Sequence, residues 1–254
     1  MSDMLGHHPE WDDLTDMYLR DLKERFASNM CASTLRTTLA MIKSVINDNK
    51  SSVDIPVRES DRILRSKKQD SQAVYLTEEE IERINKYVPE NDIERYVKKI
   101  FLIGCYTLAR HSDCVKMTMG NVFIKNRYIT YVSQKTKHNH VIPLHKNLEK
   151  YLTDDISLDI HDNVFNDTIR DICRKCGIDE MITIFRRGKE NTLPKWEFIS
   201  SHTARRSAAT NLYLRNVEIL QLSKMMGHSS VAVTQKYIVG YKDLDDKTLG
   251  YFYD

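Results

Sequence analysis

Across 254 residues, 38 Lys and Arg nearly balance 36 Asp and Glu, leaving a formal charge of +2, with 41% hydrophobic and 29% charged residues. These are the proportions of an ordinary globular chain of one large or two modest domains, and no stretch approaches the 18 apolar residues of a membrane span. Five scattered cysteines exclude a disulfide framework and point to a reducing interior, no signal peptide is visible, and the near-zero charge argues in bulk against a nucleic-acid binder.

In chain order, residues 1–50 carry eight acids against six bases. Trp11, Leu14, Tyr18 and Leu22 recur every three to four residues, which predicts an amphipathic helix. A second helix is predicted from Ser33, with Leu35, Leu39, Ile42 and Ile46 on one face, making a small helical hairpin. The charge then flips: Arg58, Arg62, Arg65, Lys67 and Lys68 face only Glu59 and Asp61. With the polar Gln69-Asp-Ser-Gln-Ala73 that follows, residues 58–74 read as an exposed basic linker, or equally as a solvated segment without a partner. Thr77-Glu78-Glu79-Glu80 spells a capping box, so its acids belong to helix-dipole chemistry rather than to a metal site.

A buried helix is predicted over Ile93–Tyr106, and then the period changes. Asn121–Leu144 alternates with turns at Lys125-Asn126-Arg127 and Lys137-His138-Asn139, predicting a three-stranded antiparallel sheet. Another helix covers about Asn163–Cys176, residues 182–199 are mixed with Gly188 and Pro194 as turn markers, and helices dominate from Ser201. The fold class is α+β and mostly helical: an N-terminal helical unit over 1–57, the linker over 58–74, and a mixed domain over 75–254 with one small antiparallel sheet.

Three motifs lead nowhere. Cys173-Arg-Lys-Cys176 lacks a second CxxC and a strand–CxxC–helix setting, so its sulfurs read as core. His138-Asn139-His140 shares three letters with a nuclease motif and no more. His7-His8 has no supporting acid, and no metal is assigned anywhere.

The C-terminal third is different. Ser201-His202-Thr203-Ala204-Arg205-Arg206 gives H-x-x-R; Met226-Gly227-His228-Ser229-Ser230 follows; Tyr237 stands nine residues after His228. Upstream lie Thr107-Leu108-Ala109-Arg110-His111-Ser112-Asp113 and Ser133-Gln134-Lys135-Thr136-Lys137. Any one of these residues alone reads as a cap, a solvated cation or a packing aromatic. Taken as a set and in this order, they resemble the tyrosine recombinase family, the integrases of phages and mobile elements, over nearly the whole chain. The resemblance places the catalytic arginines at Arg110 and Arg205, the lysine at Lys135, the histidines at His202 and His228, the nucleophile at Tyr237 and the supporting acid at Asp113.

It implies a metal-independent enzyme without cofactor that cleaves and rejoins DNA through a 3′-phosphotyrosyl link. Two guanidiniums clamp the nonbridging oxygens. His202 serves as acid/base, Lys135 protonates the departing 5′-oxygen, and His228 donates to the phosphate. Partners would be double-stranded DNA bearing specific recombination sites, a homotetramer in synapsis and DNA-bending helper proteins, with no membrane and in the cytoplasm of a bacterial or phage-infected cell. Arg62, Arg65, Lys67, Lys68, Lys137 and Arg206 are the DNA-binding candidates, and the tail after Tyr237, with Leu244, Leu249, Tyr251 and Phe252, docks on its own domain or on a neighbouring protomer. If Tyr237 is not the nucleophile, Tyr241, Tyr251 and Tyr253 are the candidates that remain.

Three positions depart from the family pattern: Leu108-Ala109 stands for a usual Gly-Leu, Ala204 for a common Leu, and Arg206 for a common His. About 60 N-terminal residues hold a short core-binding-like unit and no arm-binding domain, as in a minimal recombinase or a fragment. The alternatives are a nicking-closing topoisomerase of the same catalytic type and a non-catalytic DNA-binding relative.

Overall fold

The computed structural model describes residues 6, 8, 10–66, 73–120, 122–153, 156–186 and 189–239. These fall within two compact units, one inside Met1–Gln72 plus Ile184–Asn191, the other inside Ala73–Thr183 plus Thr192–Asp254. No helix among the described residues is long and apolar enough to cross a membrane.

In the first unit, Trp11–Asp13 is a short 3-10 turn, and helix α1 (Asp16–Asn29) starts only after Thr15, whose Oγ1 accepts from the Tyr18 N–H at 3.2 Å. Helix α2 (Ala32–Asn49) follows. Leu19, Leu22, Leu39 and Ile46 form their common core together with Ile55, Val57, Ile63 and Leu64. Ile63 and Leu64 overturn part of the linker reading, and Val57 stands just before it. Residues Ser60–Ile63 form a helical turn, α3, with Ser60, Ile63 and Leu64 buried. The side chains of α1 fix it at both ends: Asp16 Oδ1 accepts from the N–H groups of Arg58 (3.1 Å) and Glu59 (3.0 Å), and Lys23 Nζ donates to the Ile63 (2.7 Å) and Arg65 (2.9 Å) carbonyls. Four charges in this stretch had masked three apolar residues, whose burial drives the segment onto α1. Arg62, expected to meet DNA, pairs with Glu59 at 3.2 Å; Arg65 is exposed, and Lys67 and Lys68 lie outside the described residues.

The second unit begins with helix α4 (Glu78–Lys86), whose capping box has both its bonds: Thr77 N–H to Glu80 Oε2 at 2.7 Å and Glu80 N–H to Thr77 Oγ1 at 3.3 Å. Glu80 also accepts from buried Lys195 at 2.7 and 2.9 Å. Helix α5 (Asp92–Thr107) is buried along most of its length and packs against α7 (Asp162–Lys175) and α8 (Ser201–Leu214). Its crossing with α8 is close at Gly104, where a Cβ would stand 2.9 Å from the Ala204 Cβ. Ala204 is itself buried, so the two helices meet there through small residues.

Strands β1 (Phe123–Lys125), β2 (Tyr128–Val132) and β3 (Asn139–Pro143) form the expected antiparallel sheet, in the order β1-β2-β3. The β1–β2 turn is made by Asn126 and Arg127, both at positive φ (52° and 64°), as the right-handed twist of a two-residue hairpin prefers. Across β2–β3, Tyr131 faces His140 and Ile129 faces Ile142, the buried face of both strands. The mixed segment resolves into a second hairpin, β4 (Met181–Arg186) and β5 (Lys189–Pro194), followed by a 3-10 turn at Lys195–Phe198. Cys173 is fully buried on α7 and its thiol is free, as is that of half-buried Cys176. Helices α9 (Ile219–Met226) and α10 (Val231–Gln235) complete the description.

Candidate active site

Four segments of the second unit converge on one place. The first is the end of α5. Leu108 takes a left-handed conformation, φ 56°, with 2% of its surface exposed. The turn that a glycine would make without strain is therefore kept with a leucine, at a backbone cost of about 1–2 kcal/mol, offset by the buried side chain. Thr107 Oγ1 receives the Ala109 N–H at 3.2 Å, and Arg110 then caps the helical turn α6 (His111–Cys114).

On α6, Asp113 is 3% exposed and reaches into the β2–β3 turn, accepting from Ser133 Oγ at 3.2 Å and from the Gln134 N–H at 2.8 Å. The turn closes on itself through Ser133 N–H to His138 O (3.0 Å) and Lys137 N–H to Ser133 O (2.9 Å). Lys135 sits exposed at its tip, one residue beyond the anchored amide, and Lys137 is exposed at φ 56°. Asp113 thus fastens the Arg110 turn to the Lys135 turn.

Helix α8 carries His202, Arg205 and Arg206 on its first two turns; Ser200 N–H donates to Thr203 Oγ1 at 3.0 Å and Ser201 N–H to Asn166 Oδ1 at 2.8 Å. Arg205 is 1% exposed and is among the largest fully buried side chains. Its Nη1 donates to the Leu108 carbonyl; its Nη2 donates to the Met226 carbonyl at 2.8 Å and faces His228 Nε2 at 3.1 Å.

The fourth segment is the α9–α10 turn. Gly227, at φ 63°, ends α9 in a Schellman motif, with Gly227 N–H to Lys224 O at 3.1 Å and His228 N–H to Ser223 O at 3.0 Å. His228 Nδ1 lies 2.9 Å from Thr234 Oγ1. Because a guanidinium only donates, Nε2 must be the accepting nitrogen and Nδ1 the protonated one. The donation to phosphate expected of His228 is therefore not available from Nε2 in this state, where that nitrogen holds Arg205. Tyr237 packs on Leu108, Ala208, Ala209 and Met226, its ring 5.2 Å from the His228 ring and 5.5 Å from the Arg205 guanidinium carbon.

Electrostatically this is a cationic pocket. Burial, and after it the charge of Arg110, pushes Arg205 below its ordinary value, and Tyr237 opposes the shift. Burial also lowers Arg206, again against Tyr237. Arg206, expected as a DNA contact, follows Arg205 on α8 and is half-buried, and its charge is felt by His202. Burial and then the charges of Arg206, Arg205 and Arg110 lower the His202 imidazole against the pull of Asp162, although its ring remains open to solvent. Burial, Arg205, Arg110 and His140 bring His228 down to about 4. Both histidines are neutral near pH 7, and His202, open to solvent, can accept a proton, whereas Nε2 of His228 is engaged by Arg205. Arg110 Nη1, Arg205 Nε and Arg206 Nε are buried without a hydrogen-bond partner. Among the described residues no cluster of three or more His, Cys, Asp or Glu could hold a metal ion.

Two contributors escaped sequence reading. Thr234 fixes the His228 tautomer, and His140, set aside with a chance motif, packs beneath Gly227. The only sequence signal for either was position: six residues past His228, and on the inward phase of β3. The expectations for Leu244, Leu249, Tyr251 and Phe252, and for the tyrosines at 241 and 253, lie outside the described residues.

No curated protein matches the chain. Solved structures with the same fold include a XerH site-specific recombinase bound to a palindromic difH substrate after cleavage, with TM-score 0.67 and 14% identity, covering 95% of this chain and 73% of that one. A lambda integrase dimer bound to a core site gives 0.67 at 14%, covering 92% and 83%. The Tn1549 transposon integrase with transposon right-end DNA gives 0.66 at 13%, covering 99% and 88%. The model of the phage integrase family matches residues 74–242. That match spans well over half of the sequence and takes in all four converging segments, and by it the chain belongs to the phage integrase family of site-specific tyrosine recombinases.

Proposed function

We propose that this chain cleaves and rejoins duplex DNA at specific sites with Tyr237 as nucleophile, and that Arg110, Arg205 and Arg206 together receive the scissile phosphate. One observation carries the reading: Arg110, Arg205 and Arg206 each keep a buried guanidinium N–H without a partner, and the Arg205 guanidinium carbon lies 5.5 Å from the centre of the Tyr237 ring. A buried polar group left unpaired calls for a ligand, and the charges of Arg110 and Arg205, which repel one another, call for an anion. A phosphodiester supplies both the charge and the acceptor oxygens.

Tyr237 Oη would bond to phosphorus as the bond to the 5′-oxygen breaks. The phenol proton would pass to His202, which is neutral at working pH, and Lys135 at the hairpin tip would supply a proton to the departing 5′-oxygen. Attack by a 5′-hydroxyl of a partner strand reverses the step, returns the phenol and reseals the backbone. Asp113 would act by positioning, since one carboxylate holds both the Arg110 helix and the Lys135 turn. The neighbours cited above were solved on DNA recombination sites; for this chain we extend that to double-stranded recombination sites, a homotetramer at synapsis, assistance from DNA-bending proteins, and action in the cytoplasm.

A nicking-closing topoisomerase is not favoured, because the matching family is that of the integrases. A non-catalytic relative has no use for unpaired guanidiniums around a tyrosine. The test is a duplex nicked near the cleavage point, so that loss of a short fragment traps the covalent complex. Wild type is expected to form an adduct resistant to denaturant, and Tyr237→Phe none. An undiminished adduct with Tyr237→Phe defeats the assignment.

A further inference from the structure

We propose that His140 is a positioning residue for strand cleavage: it ties the sheet that carries Lys135 to the Met225–His228 turn that aligns Arg205. The inference rests on the reading of Arg205 and Tyr237 given above.

His140 lies on β3 directly opposite Tyr131, and its ring stacks on the Tyr131 ring with centroids 5.0 Å apart and planes 12° apart. It is 2% exposed. Its Nδ1 sits 3.0 Å from the Met225 carbonyl. A carbonyl only accepts, so Nδ1 carries the proton, and Nε2 is left as a bare, buried acceptor without a partner. On the other side the ring lies against Gly227, where a Cβ would fall 2.2 Å from Cε1.

Successive groups of one turn are thus held from two directions. The Met225 carbonyl is held by His140 from the sheet; the Met226 carbonyl and the His228 imidazole are held by Arg205 from α8. The same sheet is held at its β2–β3 turn by Asp113. Loss of the His140 bond would leave the Met225–His228 turn tied to α8 and Thr234 but not to the sheet, so that Arg205 and His228 could shift relative to Lys135. The ring serves this role best when neutral: burial and then the charges of Arg205 and Arg110 lower it, against the Met225 bond and Asp113. A protonated ring would add a fourth cation beneath the phosphate site. If His140 were only a piece of core, an aromatic ring without the donor would serve better than a small donor without the ring, and the test turns on that difference.

His140→Phe keeps an aromatic stacking partner, slightly larger than imidazole, but loses the Nδ1 donor. His140→Asn loses the ring but keeps an N–H near the Nδ1 position. Single-turnover adduct formation would be measured on the nicked duplex at saturating enzyme, alongside duplex affinity and thermal unfolding. His140→Phe is expected to form adduct about tenfold more slowly, the scale of one lost hydrogen bond, with unchanged affinity. His140→Asn is expected to recover most of that rate despite lower thermal stability. Wild-type rate in the Phe variant, equal slowing in both variants, or a parallel loss of affinity would each overturn the proposal.

Nitrogen-15 spectra of the histidine rings supply a second readout that needs no turnover. In wild type His228 should show a single Nδ1-protonated tautomer, and in His140→Phe averaged nitrogen shifts; identical His228 signals would defeat the tie. Absence of adduct from wild type would instead strike the Tyr237 reading, and the spectra would still decide the role of His140.

Discussion

Gly227→Ala tests the architecture of the site at its narrowest point. The added Cβ would stand 2.2 Å from His140 Cε1, 2.9 Å from Nε2 and 3.3 Å from Nδ1. The ring cannot retreat freely, being stacked on Tyr131 and bonded to the Met225 carbonyl. The left-handed φ of 63° costs an alanine about 1–2 kcal/mol, and forcing a methyl into a packed core costs about 1–3 kcal/mol more. The expected loss is therefore about 2–5 kcal/mol, or roughly 5–15 °C in the melting temperature of a unit this size. Urea and thermal unfolding followed by circular dichroism measure it. The decisive comparison is the double variant with His140→Ala, which removes the ring the methyl strikes. The two substitutions should couple, the double falling short of the summed single losses by about 1 kcal/mol or more. Strict additivity, or a Gly227→Ala loss below about 1 kcal/mol, would refute the reasoning from that close approach.

Asp113→Ala removes the acceptor of Ser133 Oγ and of the Gln134 N–H; stability should fall by about 1–3 kcal/mol, and adduct formation should fall further than duplex affinity, as read by single-turnover cleavage against a binding titration. Acid should weaken the fold through His228: its folded value of about 4 lies below the ordinary 6.5, so the unfolded chain takes up a proton first, and stability present above about pH 6.5 is lost as the pH falls toward 4. His111, His140, His145 and His202 are lowered in the same direction, so His228→Gln, whose amide oxygen can still accept from Arg205, should shrink that loss rather than remove it in urea unfolding across this range.

Most of the elements were legible where period and cap agreed. The alternation from Asn121 to Leu144 became three strands, and Thr77 with Glu80 formed both bonds of their box. The segment at 57–64 misled because its charges are set close together while its three core residues, Val57, Ile63 and Leu64, have no helical repeat of their own. What holds them down is Asp16 and Lys23, some forty residues earlier, and no local pattern reports a pairing at that distance. The hairpin at 181–194 was missed for a related reason: Met181, Phe185 and Leu193 are exposed apolar residues, so the alternation that would mark a half-buried strand is blurred. In the site, types and order could be read, but hydrogen-bond direction could not. That His228 accepts from Arg205, and that His140 donates to Met225, follow only from which carbonyl or guanidinium each ring faces.

The near-zero net charge, which in bulk argued against a nucleic-acid partner, looks different once the charges have places. Affinity for a phosphate backbone depends on phosphates neutralised locally, and the acids of this chain are largely engaged elsewhere: Glu80 with Lys195, Glu94 with Lys175, Glu59 with Arg20 and Arg62, Asp113 with backbone and hydroxyl donors. Among the described residues no carboxylate pairs with Arg110, Arg205 or Arg206. Arg205 is fully buried, Arg110 and Arg206 half-buried; holding such charges without a partner is unfavourable, and an arriving anion would relieve it. A surface patch of the same charge would bind DNA anywhere along its length. On the function proposed above, these arginines would instead place binding energy at one phosphate, next to the tyrosine, and that energy would grow as the phosphorane gathers negative charge. The sum over the chain can stay near +2 because the charge that matters to the reaction is held in one pocket rather than spread over a face.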